Sequence, residues 1–208
     1  MPDFKIEKSF NNNVIAIDEV GRGPLAGPVV SCAIIFFDKL INLKKLNFID
    51  DSKKLSSNKR KIAIKKIFKL KKSHKIEFKL GMASVKEIDS LNILEATKLS
   101  MMRAVQKLNQ PPTHLIIDGQ IDLKLRDYPS NGIIKGDQKS ISIAAASIIA
   151  KIHRDRYMRY LSYLFPVYNW STNAGYGTKK HIEQIIKKGI TVHHRKSFEP
   201  IKSLIHNK

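Results

Sequence analysis

The chain has 208 residues, of which 42% are hydrophobic; the length suits one domain with at most a small appendage, and the composition suits a packed core. Apolar runs stop well short of the roughly 18 residues of a membrane span. Residues 1–13 show no apolar leader segment or small-residue cleavage site, and the single cysteine, Cys32, can form neither an internal disulfide nor a multi-cysteine zinc site. These features exclude disordered, collagen-like, disulfide-stapled and membrane-spanning classes, and a reduced, cytoplasmic protein is expected. Thirty-eight Lys and Arg against 18 Asp and Glu give a net charge of +20. Residues 39–80 hold 15 basic and 3 acidic groups and residues 151–208 hold 12 and 3, whereas the remainder is nearly neutral. Such segregation favours nucleic acid as the partner. For the lysine run between Lys59 and Lys75 a solubilising surface is the plainer alternative, and a membrane surface a weaker third.

In chain order, Val14–Ile17 is a short apolar run that stops at two acids, and Pro28–Phe37 is a long β-branched and aromatic run; both read as buried strands. Ser56 or Ser57 can cap the helix that follows, in which Ile64, Ile67 and Phe68 form one narrow apolar stripe among basic residues. Ile76, Phe78, Leu80 and Met82 alternate with other residues, the period-two mark of a strand. Ile93, Thr97, Met101, Ala104, Val105 and Leu108 have helical spacing, ended by Pro111-Pro112. His114–Ile117 is again a short strand and again stops at an acid, Asp118. Ser140–Tyr163, rich in Ala, Ile and Leu, predicts a long, partly buried helix, after which a loop over Pro166–Gly177 leads to a last short helix at Lys179–Lys188. Strands alternating with helices define an α/β fold class with a helical C-terminal extension.

In α/β folds the carboxyl ends of strands face a common crevice, where ligands bind. Here two strands end in acids, Asp18-Glu19 and Asp118, and a third candidate, Asp137, precedes the long helix. Four gathered carboxylates repel one another and raise one another's pKa unless a cation is present. Hard oxygen ligands of this kind suit Mg²⁺ or Mn²⁺, and a metal pair can activate water and stabilise the leaving oxygen of a phosphodiester. The plain reading of such acids is as turn residues or helix caps. The segment Gly21-Arg22-Gly23-Pro24-Leu25-Ala26-Gly27 is no dinucleotide fingerprint, because its spacing is GxGxxxG, a proline intrudes and a strand follows. As a small turn beside the acids it lets backbone approach a sugar-phosphate closely, and Arg22 can clamp a phosphate. The seven histidines show no metal-like spacing and read as structural or capping residues, and Cys32 as a buried small hydrophobe.

These residues resemble the ribonuclease HII family, the bacterial type 2 ribonucleases H. The segment from Asp18 to Val30 is similar to the family's opening motif. In the family's order follow Asp51-Ser52-Lys53-Lys54-Leu55, Ile117-Asp118-Gly119, Lys135-Gly136-Asp137, Ala144 to Lys151 with Arg154-Asp155, then Gly175-Tyr176-Gly177-Thr178, His181 and His194-Arg195-Lys196-Ser197-Phe198. Val20 stands where Ala is more usual, and Gln120 follows the Asp-Gly pair where a different polar residue is expected; neither touches the carboxylates. The resemblance implies a ribonuclease H-like mixed sheet flanked by helices, with residues 1–165 as the catalytic domain and 166–208 as a helical extension packed on it. It implies cleavage of the RNA strand of RNA–DNA hybrids, and nicking 5′ of a single ribonucleotide in duplex DNA to leave 3′-hydroxyl and 5′-phosphate ends. The partners would be such hybrids and ribonucleotide-bearing duplexes, not a membrane, and the protein would be a monomer. By motif position Asp18, Glu19, Asp118 and Asp137 would be catalytic and hold Mn²⁺ or Mg²⁺. Gly21, Arg22 and Gly23 would read the 2′-hydroxyl that marks RNA, Tyr176 would stack on the neighbouring deoxyribose, and Lys53 and Lys151 would contact phosphates, though either could be a solvated lysine.

Two other classes fit parts of the sequence. A non-catalytic RNA- or ribosome-binding protein would suit the charge but gives no reason for acids at two strand ends. A resolvase or integrase of ribonuclease H-like fold would share the carboxylates but not the Gly-Arg-Gly turn and the Gly-Tyr-Gly-Thr segment.

Overall fold

The computed structural model describes residues 2–10, 13–49, 56–120 and 128–206; Lys53 and the segment 50–55 around it lie outside these. The first strand, β1 (Val14–Val20), turns back into β2 (Val29–Phe36) through residues 21–28, and β3 (Ile76–Ala83) follows helix α2 (Ser57–Lys72). A connection that short permits only an antiparallel return, and β1–β2 and β2–β3 are antiparallel. Between β3 and β4 (His114–Asp118) lie α3 (Val85–Leu91) and α4 (Ile93–Val105), a crossover long enough for β4 to pair parallel with β1. The short strand β5 (Ser130–Ile133) adds parallel to β4, giving a mixed sheet in the order β3-β2-β1-β4-β5. The expected mixed sheet is therefore present, with one more strand than the apolar runs announce. At the sheet edge, β5 has the polar sequence Ser-Asn-Gly-Ile and is not fully buried, so no period-two apolar signal marks it.

The central strands are buried along their length because helices cover both faces. Ala16, Cys32, Ile34, Phe36 and Ile116 point to one face, where the Ala- and Ile-rich start of helix α6 (Ile141–Leu164) packs on them. Ile15, Ile17, Ala33, Ile35, Leu115 and Ile117 point to the other, against Met101, Ala104 and Val105 of α4. The alternation is that of a pleated strand, and each such buried aliphatic side chain is worth roughly 1.5–3 kcal/mol. In α2 the buried positions are Ala63 and Ile67, while Phe68 is half exposed and meets Phe78 edge to face.

Several short elements escape a reading of apolar periodicity. Before β1, helix α1 (Lys5–Lys8) carries the buried Glu7, whose carboxylate accepts from Ser140 Oγ at 2.6 Å and Ser142 N at 3.0 Å and so holds the start of α6. Helix α3 begins with a capping box, Ser84 and Glu87, a signal visible in the sequence; Asn92 then caps α4 as a separate helix. Gly136–Lys139 form a single turn, α5, ahead of α6. Within the stretch expected as loop lie a 3₁₀ turn (Pro166–Tyr168) and the helical turn α7 (Trp170–Asn173). The helix at Lys179–Lys188, α8, is not the last, since α9 (Ile201–His206) follows.

These C-terminal elements close over the β1–β2 turn: Leu25 and Ala26 share a cluster with Met158 and Leu161 of α6, Tyr168, Trp170, Ile185 and Ile201. Hydrogen bonds fix the histidine tautomers inside it. His181 Nδ1 must donate to the Tyr176 carbonyl at 2.8 Å, so its Nε2 accepts from Trp170 Nε1 at 3.0 Å and from His194 Nε2 at 3.2 Å. His194 Nδ1 in turn accepts from Thr191 N at 2.9 Å. Burial, and then the nearby His181 and His193, push the His194 pKa down to about 3 from 6.5. Between those pH values the unfolded chain binds a proton that the native chain refuses, so stability is complete above about 6.5 and falls as pH drops towards 3. His194→Gln should therefore flatten the loss of stability below pH 6.5 in urea titrations; an unchanged slope would place the acid sensitivity elsewhere.

Candidate active site

Parallel pairing of Ile17 with Ile117 sets Asp18 and Asp118 side by side at the carboxyl ends of β1 and β4, on the face that α6 covers. With Glu19 they line a cleft of about 410 Å³, together with Val20, Arg60, Ser147, Lys151 and Tyr176. Asp118 accepts from the Gly136 backbone N–H at 2.7 Å, which anchors the short helix that carries Asp137. Asp137 is buried next to this contact but does not line the cleft. Among the described residues no group of three or more His, Cys, Asp or Glu side chains is placed so that it could hold a metal ion; Asp18, Glu19 and Asp118 share the lining of one cleft.

Asp18 and Glu19 resist ionisation. Burial, then the charges of Glu19 and Asp118, push the Asp18 pKa well above its ordinary value, although Ser147 and the Glu19 N–H, at 2.7 Å, donate to its carboxylate. Burial also raises Glu19, against the pull of Arg22, whose guanidinium stands 3.6 Å away. The second Glu19 oxygen, Oε2, is buried with no hydrogen-bond partner. Lys151 is held by Asp155 at 2.8 Å.

The turn between β1 and β2 is set by two arginines buried completely. Arg195 donates to the carbonyls of Gly21 at 2.5 Å, Arg22 at 2.7 Å and Gly27 at 2.8 Å. Arg154 donates to Pro28 at 2.9 Å, Ala26 at 3.0 Å and Ala174 at 2.9 Å. Carbonyl dipoles replace a carboxylate partner for both cations, and burial lowers their pKa to about 9 and about 10, still charged at neutral pH. Gly21 takes φ of +95° with the Arg154 side chain against its Cα, so any side chain there would be strained and would collide. Arg154 also ties this turn to the one before Tyr176, and the Tyr176 ring lies over Gly23, where an added Cβ would meet Cε1 at 3.6 Å.

The model for ribonuclease HII matches residues 15–201. The chain belongs to the ribonuclease HII family. It is 47% identical over 200 residues to the ribonuclease HII of Wolbachia sp. subsp. Brugia malayi, covering 96% of this chain and 94% of that one. Its fold is similar to the crystal structure of ribonuclease H2 from Pyrococcus horikoshii OT3, with a TM-score of 0.75 at 22% identity, covering 94% and 98% of the two chains. It is also similar in fold to Bst-RNase HIII solved in complex with Mn²⁺, with a TM-score of 0.67 at 18% identity, covering 94% of this chain and 70% of that one. The chain is thus a ribonuclease H, an endonuclease and hydrolase acting on the RNA strand of RNA–DNA hybrids.

Of the residues the resemblance to ribonuclease HII singles out, the structure brings Asp18, Glu19, Asp118, Lys151 and Tyr176 to one cleft, sets Arg22 against Glu19 and Gly23 under the Tyr176 ring, and buries Asp137 in the helical turn whose first N–H is bound by Asp118. Sequence reasoning gave no role to Ser147, Arg60, Arg154 or Arg195. Ser147 precedes Lys151 by four residues, which puts both on one face of α6; that spacing was the available signal. Nothing in the local sequence marks Arg154 and Arg195 as buried.

Native Asp18 keeps its proton at pH values where the unfolded chain has lost it, so this group's ionisation opposes folding above the ordinary value of 3.8. In EDTA at neutral pH, Asp18→Asn should raise the thermal midpoint, by roughly 2–4 °C for each kcal/mol relieved; a lower midpoint would contradict the repulsion. Arg195→Lys keeps the charge, but its three donors sit on one nitrogen and cannot span the Gly21, Arg22 and Gly27 carbonyls that Arg195 reaches from Nε, Nη1 and Nη2; each carbonyl left without a donor costs about 1–3 kcal/mol. A lower midpoint together with lost cleavage is expected, measured by calorimetry and by a hybrid-cleavage assay.

Proposed function

We propose that the chain nicks duplex DNA on the 5′ side of a single embedded ribonucleotide as well as cutting the RNA strand of hybrids, leaving 3′-hydroxyl and 5′-phosphate ends, with Mg²⁺ or Mn²⁺ as cofactor. The observation that carries this reading is the meeting in one cleft of three carboxylates, the edge of the Gly-Arg-Gly turn and the Tyr176 ring. A site that pushes Asp18 towards its neutral form and leaves Glu19 Oε2 buried without a partner fits a divalent cation, which would relieve both. An open row of hard oxygens fits Mg²⁺ in particular, which keeps several waters and substrate oxygens in its shell. Asp18, Glu19 and Asp118, with Asp137 behind them, would hold it. When bound, the metal supplies Lewis-acid charge that activates water and neutralises the leaving oxygen.

The chain's own groups set the substrate. With the carbonyls of Gly21 and Arg22 held by Arg195, the turn presents a fixed edge to the 2′-hydroxyl of the ribonucleotide. Tyr176, half exposed over Gly23, would stack on the sugar beside it. Arg22 and Lys151 would steady the phosphates, and Lys53 would do the same from outside the described residues. The buried, free thiol of Cys32 suits a reducing cytoplasm.

Purified protein with Mg²⁺ or Mn²⁺ should nick a duplex holding one ribonucleotide and should do nothing in EDTA. Mn²⁺ is included because the similarly folded ribonuclease HIII was solved with it. Asp18→Asn or Asp118→Asn should abolish nicking while binding persists, and Tyr176→Ala should weaken cutting at single ribonucleotides more than on long hybrids. Robust binding without cleavage in either metal would overturn the reading; equal loss on both substrates would remove the role of Tyr176.

A further inference from the structure

Helix α6 is mostly buried, yet one face carries Ser147, Lys151, Asp155 and Arg159 at intervals of four residues. The first two line the carboxylate cleft; the last three line a second cleft of about 360 Å³, walled also by Arg60 and Lys61 of α2, Ser171 and Thr172. Arg60 and Lys151 line both clefts, so the two adjoin. Among the described residues that line this cleft, Arg60, Lys61, Lys151 and Arg159 accompany one carboxylate, Asp155, which accepts from Lys151. The stripe from Ser147 to Arg159 is about 18 Å long at the rise of a helix. A duplex strand places one phosphate per ~3.4 Å of its axis, so a strand running along this stripe would bring several phosphates to it.

The remainder of the basic run does not share this position. Lys66 lies over the Phe48 ring at 5.0 Å and Lys71 over Phe78 at 4.3 Å, both folded onto the protein's own aromatic surface. Only the first turns of α2 deliver cations to the second cleft.

We propose that the second cleft is a backbone-phosphate subsite, built by Arg60, Lys61, Lys151 and Arg159, for the duplex flanking the scissile step. The subsite rests on the reading of the carboxylate cleft as the cutting site, from which the substrate strand continues. Each cation that meets a phosphate releases condensed counterions, so its removal leaves a defined mark in the salt dependence of binding.

The test uses the full chain carrying Asp118→Asn, so that substrate stays intact, and fluorescently labelled duplexes with one ribonucleotide. Arg159→Ala and Lys61→Ala should each weaken binding several-fold and make the slope of log K against log salt shallower by roughly 0.9. Lys66→Ala removes the same charge from outside the cleft and should change the slope much less. On duplexes shortened stepwise from one end, then from the other, the double variant and its parent should converge once one particular flank is gone. Unchanged affinity and slope, an equal effect of Lys66→Ala, or a deficit that persists on every shortened duplex would each overturn the subsite. Failure of the cutting site itself is read separately, from cleavage by the chain with Asp118 restored: metal-dependent nicking with unchanged binding in Arg159→Ala leaves the active site standing and removes only the subsite.

Discussion

Asp18 and Glu19 are buried beside the Asp118 carboxylate at one cleft, and burial together with that neighbouring charge makes ionising either of them costly. The rest of the molecule is arranged to hold that unfavourable gathering in place. Two parallel strands in register put Asp18 and Asp118 side by side, and an alanine-rich helix start lets α6 lie close enough for Ser147 to reach Asp18. A folded chain tolerates such repulsion because its large apolar core supplies far more stability than the site removes. A divalent cation then has charge and unsatisfied oxygen waiting for it.

A second unusual burial supports the first. Arg154 and Arg195 are charged, wholly inside, and hydrogen-bonded to main-chain carbonyls of residues 21–28 and Ala174. Each guanidinium spreads its donors over three nitrogens in fixed geometry, a span that the single nitrogen of an ammonium lacks, and the two forks turn a glycine-rich loop into a rigid edge. Through Ala174 the same clamp joins the loop to the turn that bears Tyr176, whose carbonyl is held in addition by the neutral His181. Substrate-facing backbone and the aromatic ring over it thus belong to one network of hydrogen bonds.

The central strands, α2, α4, α6 and α8 are legible in the chain because each carries an apolar pattern of its own or a serine or threonine cap. Elements that lean on neighbours are not. Strand β5 is polar and exists by pairing with β4, α7 closes a single turn, and α1 is ordered through Glu7 at the start of α6. The site divides the same way. Asp18, Glu19 and Asp118 announce themselves by ending apolar strands, whereas Arg60, Arg154 and Arg195 read as three more basic residues in a chain with a net charge of +20.

By itself the amino-acid sequence determined the α/β class, the acids that end two strands, the family to which those motifs are similar and a polyanionic partner, because strand period, helix caps and charge are local properties. Tertiary structure alone decided that Asp18, Glu19 and Asp118 share a cleft and which cations are buried clamps rather than surface charge. It also decided which end of the basic run reaches the cleft. Those outcomes depend on register between strands far apart in the chain and on desolvation, which no single segment carries.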